Sequence, residues 1–217
     1  MTTDLTLRDP LPPILQHAQG TRLDSAAYRA DFRTREAAVR GRDSWKLERL
    51  QHFEEQGSPS RDALSRGDWA ESLRLMDGRR DALLAERDDD RLRGTTFHRV
   101  RVVETPLTPY VQWELHSLRQ QMECGGIPVS VIHAAAVERT EAELGALLPE
   151  VVILGGETLY QVLYTNTGLP DGAVRHTQES LIAPWESYIH ALHRAGEPVT
   201  TYVDREVAHL PPPRYGR

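Results

Sequence analysis

Glu114 is the residue of this chain best placed for general acid or base work. It stands next to Trp113 and one turn after Tyr110, and Ser117 and Gln121 follow it at helical spacing. A carboxylate walled by aromatic rings loses solvation, so its pKa rises and it can exchange a proton near neutral pH. The stretch that carries these residues, TPYVQWELHSLRQQMECGG, reads as a helix with Pro109 at its start and Gly125 at its end. With Val111 set at zero and about 100° of turn per residue, Leu115, Leu118 and Met122 fall within roughly 40°, a core stripe. Tyr110, Trp113, Ser117 and Cys124 fall roughly 200–260° round, nearly opposite, with Glu114 and Gln121 beside them. The helix therefore has two faces that prefer cover. Either the N-terminal helices lie over the second face, or that face floors a cleft for a small ligand or a partner's side chain. The two are compatible if the N-terminal layer forms one wall of the cleft. Trp113 is expected to be buried under that layer, against Trp45 or Trp69.

Other groups offer less. His190 and His193 lie at i and i+3 and could share a metal, but the sequence places no third ligand near them, and a solvated pair is the simpler reading. His133 and His176 end expected strands, where such histidines are mostly structural. Gly155 and Gly156 lie between strands and open no helix, so they mark a hairpin or bulge rather than a phosphate loop. Cys124 has no basic neighbour in sequence to activate it. Ser60 and Ser180 lack a nucleophile elbow. No cofactor or metal is expected.

The whole chain narrows the function classes. Its 217 residues make one ordinary domain, or one with an N-terminal extension. A formal net charge of −6 argues against direct nucleic-acid binding, which calls for a basic footprint. The longest apolar runs, such as VVIL, are far too short to span a bilayer, so no membrane partner is expected. The opening MTTDLTLRDPLPPIL lacks the basic-then-apolar order of a secretory signal. With one cysteine no internal disulfide can form, which suits the cytoplasm.

Elements follow from periodicity. Residues 1–23 read as a flexible tail broken by Pro10, Pro12 and Pro13. The region 24–92 is mainly helical. In it, 24–40 form a helix with Tyr28, Phe32 and Val39 near one face, and 44–55 form an extended segment. A short helix runs from Ser58-Pro59 to Gly67. A longer one is capped by Asp68 and Glu71 and ends in the charged run 87–91, read as a solvated loop. The region 93–203 is an α/β core: strands at 97–104 and 127–133, a short helix boxed by Thr140 and Glu143, and strands at 151–154 and 158–165. A hairpin partner at 173–177, a helix beginning at Pro184 and a closing strand at 198–203 complete it. The residues 204–217 are a proline-rich tail. HSLRQQMECGGIPVSVI and HALHRAGEPVTTYV both read as helix, glycine turn and strand, an echo that duplication or chance would produce. The fold class is α/β or α+β, a single mixed sheet flanked by helices, with a helical N-terminal layer.

Several strings carry a resemblance: WKLERLQHFEE, ALSRGDW, RVRVVETPLTPYVQWEL and LPEVVILGGETLYQVLYTNTG. The chain resembles an actinobacterial family known only as a domain of unknown function. The matching motifs are an Arg-Val-Arg-Val-Val strand at 99–103 and a Pro-Leu-Thr-x-Tyr turn at 106–110. The aromatic-Glu pair Trp113-Glu114, a Leu-Pro-Glu strand at 148–150 and a Tyr-x-x-x-Gly hairpin at 164–168 follow. The resemblance covers residues 24–203. It implies a small accessory protein encoded beside helix-turn-helix regulators, with no established catalytic residues. The alternation also resembles half of a phospholipase D-like fold, whose His-x-Lys pair is missing here, since the only lysine is Lys46. The first functional reading is a non-catalytic accessory or regulatory protein that binds a partner protein, such as a helix-turn-helix regulator, and a small ligand. Its binding residues would be Tyr110, Trp113, Glu114, Ser117 and Gln121. The second is a small-molecule enzyme with Glu114 as acid or base, which a lock by an arginine such as Arg101 would turn into a structural carboxylate. A third is a structural subunit that uses the aromatic face as an oligomer interface.

Overall fold

A computed structural model describes residues 11–54 and 57–214. Eight strands among the described residues form one mixed sheet. In chain order they are β1 (Thr21–Leu23), β2 (Ser44–Glu48), β3 (Phe97–Val103), β4 (Val129–His133), β5 (Glu150–Leu154), β6 (Thr158–Tyr164), β7 (Pro170–His176) and β8 (Glu197–Pro198). The spatial order is β1-β7-β6-β5-β2-β3-β4-β8. Strands β2, β3 and β4 run parallel, and the other pairs are antiparallel. The sheet is thus a parallel βαβ half joined to an antiparallel meander, and β2 is the seam between them.

The expected helix at 109–125 is present as α5 (Pro109–Gly125), after α1 (Ser25–Ala38), α2 (Pro59–Ser65), α3 (Trp69–Asp77) and α4 (Arg80–Arg93). Thr108 caps α5 by accepting from Val111 N, Pro109 fills a first-turn position with no amide to satisfy, and Gly126 ends it in the left-handed region. Three helices follow: α6 (Glu138–Leu144), α7 (Glu179–Ala195) and the short α8 (Val199–Tyr202), which continues into a π turn at 203–207.

Period-2 alternation sends the strand residues to two faces. On one face Trp45, Leu47, Val100, Val102, Val151 and Ile153 meet Trp185, Ile189 and Leu192 of α7. The other face carries two separate apolar clusters. Helices α5 and α8 cover Val103, Val129 and Val131, while α1 packs over Val152, Leu154 and Tyr160. The serines of α2 and α3 tie the N-terminal layer to α5. Ser60 Oγ donates to Ser72 O, Ser72 Oγ donates to Ser60 O, and Trp113 Nε1 donates to Ser60 Oγ at 2.9 Å.

Several expectations are corrected. Residues 1–10 lie outside the described residues, but 11–23 are not a free tail. Leu15 is buried in the α7-side core, Pro13 O accepts from Trp185 Nε1, and β1 pairs with β7. The region 24–92 is mainly helical, as expected, but its extended segment is part of the core, because β2 sits in the middle of the sheet and pairs with β3 and β5. Trp45 therefore faces α7 and does not cover Trp113. The helix after Asp68 is broken at Gly78 and Arg79, where the poor helix propensity of the glycine allows a turn, and the run 87–91 is helical within α4. Thr140 lies inside α6, whose N-cap is Val137 without a side-chain bond. Helix α7 starts five residues before Pro184, its first turn held by Ile182, which is 1% exposed. The closing strand shrinks to β8. Val199, Tyr202, Val203 and Val207 are all buried at helical spacing, so 199–207 coil instead. The echo between the two helix-turn-strand strings fails for the same reason. Pro211 O accepts from Gln112 Nε2, so part of the C-terminal segment is also docked.

Candidate functional site

Between the two apolar clusters of the α5 face runs a polar strip. Strand β2 contributes Ser44, Lys46 and Glu48, β3 contributes Arg99 and Arg101, and β5 contributes Glu150. The parallel register sets Lys46 beside Arg99 and Glu48 beside Arg101. Lys46 Nζ lies 2.5 Å from Glu48 Oε1, and Arg99 NH1 lies 3.8 Å from Glu48 Oε2. Glu48 is desolvated, which alone would raise its pKa, but Lys46, Arg99 and Arg101 together hold its carboxyl well below the usual range.

Arg101 is fully buried. Its Nε donates to Glu114 Oε2 at 2.7 Å, and its NH1 donates to the carbonyls of Val102 and Glu48. Tyr110 Oη donates to Glu114 Oε1 at 3.3 Å. Glu114 is thus held by an arginine, the arrangement that makes it a structural carboxylate. Glu150 differs. Its Oε1 accepts from the amides of Arg49 and Leu50 at 2.7 and 2.6 Å, while its Oε2 is buried with no hydrogen-bond partner. Burial, then the charge of Glu48, pushes its carboxyl up to about 7 against the pull of those amides and Arg101.

Three cavities open over the strip. One of about 490 Å³ lies under α1 and α4, with Phe32, Leu83, Phe97 and Ile127 among its walls. One of about 210 Å³ lies between the strip and the α2, α3 and α5 side, lined by Ser60, Trp113, Glu114, Ser117 and Gln121. One of about 250 Å³ lies toward the meander, with Tyr28, Tyr164 and Glu150 in its wall. Arg99 lines all three. Arg79 and Gln121 line the first two.

Of the five residues proposed from sequence, Trp113, Glu114, Ser117 and Gln121 are brought to one cavity. Tyr110 stands behind them, 1% exposed and edge-on to Phe53. Sequence reasoning missed Lys46, Glu48, Arg79, Arg99 and Glu150. The signal present was charge at every second position of SWKLE and HRVRVV. His190 and His193 flank the Trp45 ring at 5.2 and 5.7 Å on the opposite face, with His98 stacked on the same ring. No group of three or more potential metal ligands exists among the described residues. Nor does any helix there have the length and apolarity to cross a membrane. Gly155 and Gly156, both at positive φ, form the β5–β6 hairpin turn.

A family model described as "Domain of unknown function (DUF6879)" matches residues 30–204. The chain belongs to the DUF6879 family. The matched span begins inside α1 and ends just after α8, so the whole polar strip and the walls of the 490 Å³ and 210 Å³ cavities are part of the DUF6879 domain. No curated protein and no solved structure matches the chain.

Proposed function

We propose that this DUF6879 protein is a non-catalytic accessory or regulatory protein that holds a small ligand in the groove over the polar strip. The observation that carries this reading is the strip itself. Charged side chains sit in the middle of a sheet, desolvated, with polar atoms of Glu48, Arg99 and Glu150 left without partners. Apolar residues would pack there at lower cost, since desolvation of ions exceeds what imperfect pairing returns. Such a strip beneath cavities that share Arg99 is what a binding site needs and what a scaffold does not.

Lys46 supplies the test. It is the only lysine of the chain, and it lines two of the cavities. Reductive ¹³C-methylation keeps its charge and places one side-chain NMR reporter in the groove. A ligand recovered from native extract should shift that signal. A signal unmoved by every fraction that binds the protein would remove the groove as the site.

The partner we propose is a protein, a helix-turn-helix regulator on the resemblance to actinobacterial families encoded beside such regulators. The compartment is the cytoplasm, as the single cysteine suggests. Affinity capture should return a DNA-binding protein whose recovery changes when the groove is filled. Recovery indifferent to groove occupancy would separate partner binding from the ligand.

An enzymatic reading rests on Glu150 rather than Glu114. Glu150 combines a raised pKa, a buried oxygen without a hydrogen-bond partner and a place on a cavity wall. Under that reading, turnover of a groove ligand would follow a group titrating at about 7, and Glu150→Gln would abolish it. Turnover that survives in Glu150→Gln would exclude this role.

A further inference from the structure

Two arginines from different elements line the groove. Arg99 rises from the floor on β3, and Arg79 comes from the turn between α3 and α4. Both line the 490 Å³ and the 210 Å³ cavities, so both stand where these adjoin. Arg99 makes no side-chain hydrogen bond among the described residues, its Nε is buried without a partner, and its nearest carboxylate oxygen is 3.8 Å away. Arg79 has no ion pair among the described residues, and Arg99 has only that long one, with its guanidinium over the Phe97 ring. Glu48 is occupied by Lys46, and Glu114 by Arg101. The closest contacts of Glu48 and Glu114 are thus with other cations. The two arginines keep fork-shaped donor sets, suited to planar or tetrahedral oxyanions.

We propose that the groove takes an amphipathic organic anion, its carboxylate or phosphate head between Arg79 and Arg99 and its apolar body against Phe32, Leu83, Phe97 and Ile127. This rests on the ligand-groove reading above and names the ligand class. A cavity of about 490 Å³ has the size of a drug-like or metabolite ligand. Gln121 lines both cavities beside the arginines and offers an amide donor, and its Nε2 is already turned toward Ser117 Oγ at 3.2 Å.

The far rim sets a second condition. Glu36, Glu86, Asp89 and Asp90 stand there with Arg93. Arg93 Nε pairs with Asp89 at 3.1 Å, and its NH2 pairs with Asp90. Burial, then Asp90 and Glu86, push the Glu36 carboxyl up against the pull of Arg93 and, more weakly, Arg99. A second anionic group at this end would be repelled, whereas a hydroxyl or amide donor would be accepted. The groove is polarised, selecting a molecule charged at one end only.

Three probes of one shape decide the matter: phenyl phosphate, benzyl alcohol and benzylamine, titrated into the full chain by calorimetry and by the methyl-Lys46 signal. Phenyl phosphate should bind about tenfold or more tightly than benzyl alcohol, the usual scale of charge-assisted hydrogen bonds. Arg79→Gln and Arg99→Gln should each reduce that preference, weakening phenyl phosphate more than benzyl alcohol. Arg79 is exposed, so its variant keeps the fold and serves if Arg99→Gln does not express. Equal or tighter binding of benzylamine, or a phosphate preference that survives both substitutions, would overturn the anion site while leaving the groove in place. If none of the three probes binds, the groove reading itself falls with it.

Discussion

On the α7 face of the sheet the strands turn Trp45, Leu47, Val100, Val102, Val151 and Ile153 inward, and α7 covers them together with Leu15, Val137 and Leu148. On the opposite face the same strands present Lys46, Glu48, Arg99, Arg101 and Glu150, and the cover is divided among α1, α4 and α5 with cavities between. One set of backbones serves both faces, so strand geometry is not the cause of the difference. Side-chain chemistry is. Apolar positions draw a helix down until no space remains, because dispersion and burial both favour close contact. Charged positions keep the helices apart, because full closure would strand ions without solvent or partners. Even α1, which covers the meander side of the strip, has no fully buried residue.

The largest expected effect tests the closed face. Trp185, 1% exposed, should cost about 3–5 kcal/mol when truncated to alanine. Denaturant unfolding measures it, and a loss below 1 kcal/mol would show that the face is not the stabilising one. Arg101→Met should cost a similar amount, about 3–5 kcal/mol, since it leaves Glu114 buried without its cation. The comparison separates the two losses. Adding Glu114→Leu to Arg101→Met should recover most of the stability, whereas no single partner change repairs Trp185→Ala. A double variant as weak as the single would mean that the pair carries packing rather than charge.

A third test uses pH. The carboxyl of Glu150 moves from 4.5 to about 7 on folding, so the folded chain binds that proton more tightly. Stability should therefore be lost as pH rises from about 4.5 to about 7, and the loss should persist above that window. Its size is of order 3 kcal/mol, from the free energy of a shifted pKa. Glu150→Gln should flatten the profile across that window relative to wild type, and two superimposable profiles would contradict the assignment. The smallest effect has the opposite sign. Replacing Lys46 and Glu48 together by Met and Leu should raise stability by on the order of 1 kcal/mol, because an apolar strip avoids the desolvation of the ions. The same double variant should lose ligand binding. Destabilisation by that change would place the strip among the elements that hold the fold.

Helix α5 was legible because its signals are local. Pro109 opens it, Gly125 ends it, and the second buried face shows in the angles of Tyr110 and Trp113. The charged strip was not legible as a site. Alternating Lys46 and Glu48, or Arg99 and Arg101, reads as a half-solvated strand, the ordinary meaning of that pattern. They become internal through the insertion of β2 between β3 and β5, a pairing across about a hundred residues that no local window contains. Arg79 was hidden because the apolar repeat from Trp69 to Leu84 continues through the turn at Gly78. The strand expected at 198–203 failed because β-branched Val199, Thr200 and Thr201 have strand propensity, while the burial of Tyr202, Val203 and Val207 decides for a coil of helical period.

The position of β2 has a consequence for synthesis. A ribosome delivers Ser44–Glu48 early, yet both neighbours of this strand come later, β3 from residue 97 and β5 from residue 150. Until β5 has emerged, the nascent chain carries a central strand with an unpaired edge and Trp45 with no α7 to cover it. A fragment ending near residue 92 would expose such an edge for its whole lifetime, and unpaired edges recruit other chains. Translation of this protein is therefore a period of exposure that ends only when α7 clears the exit tunnel. Slow codons or pauses before that point should favour capture by chaperones over self-assembly of the sheet.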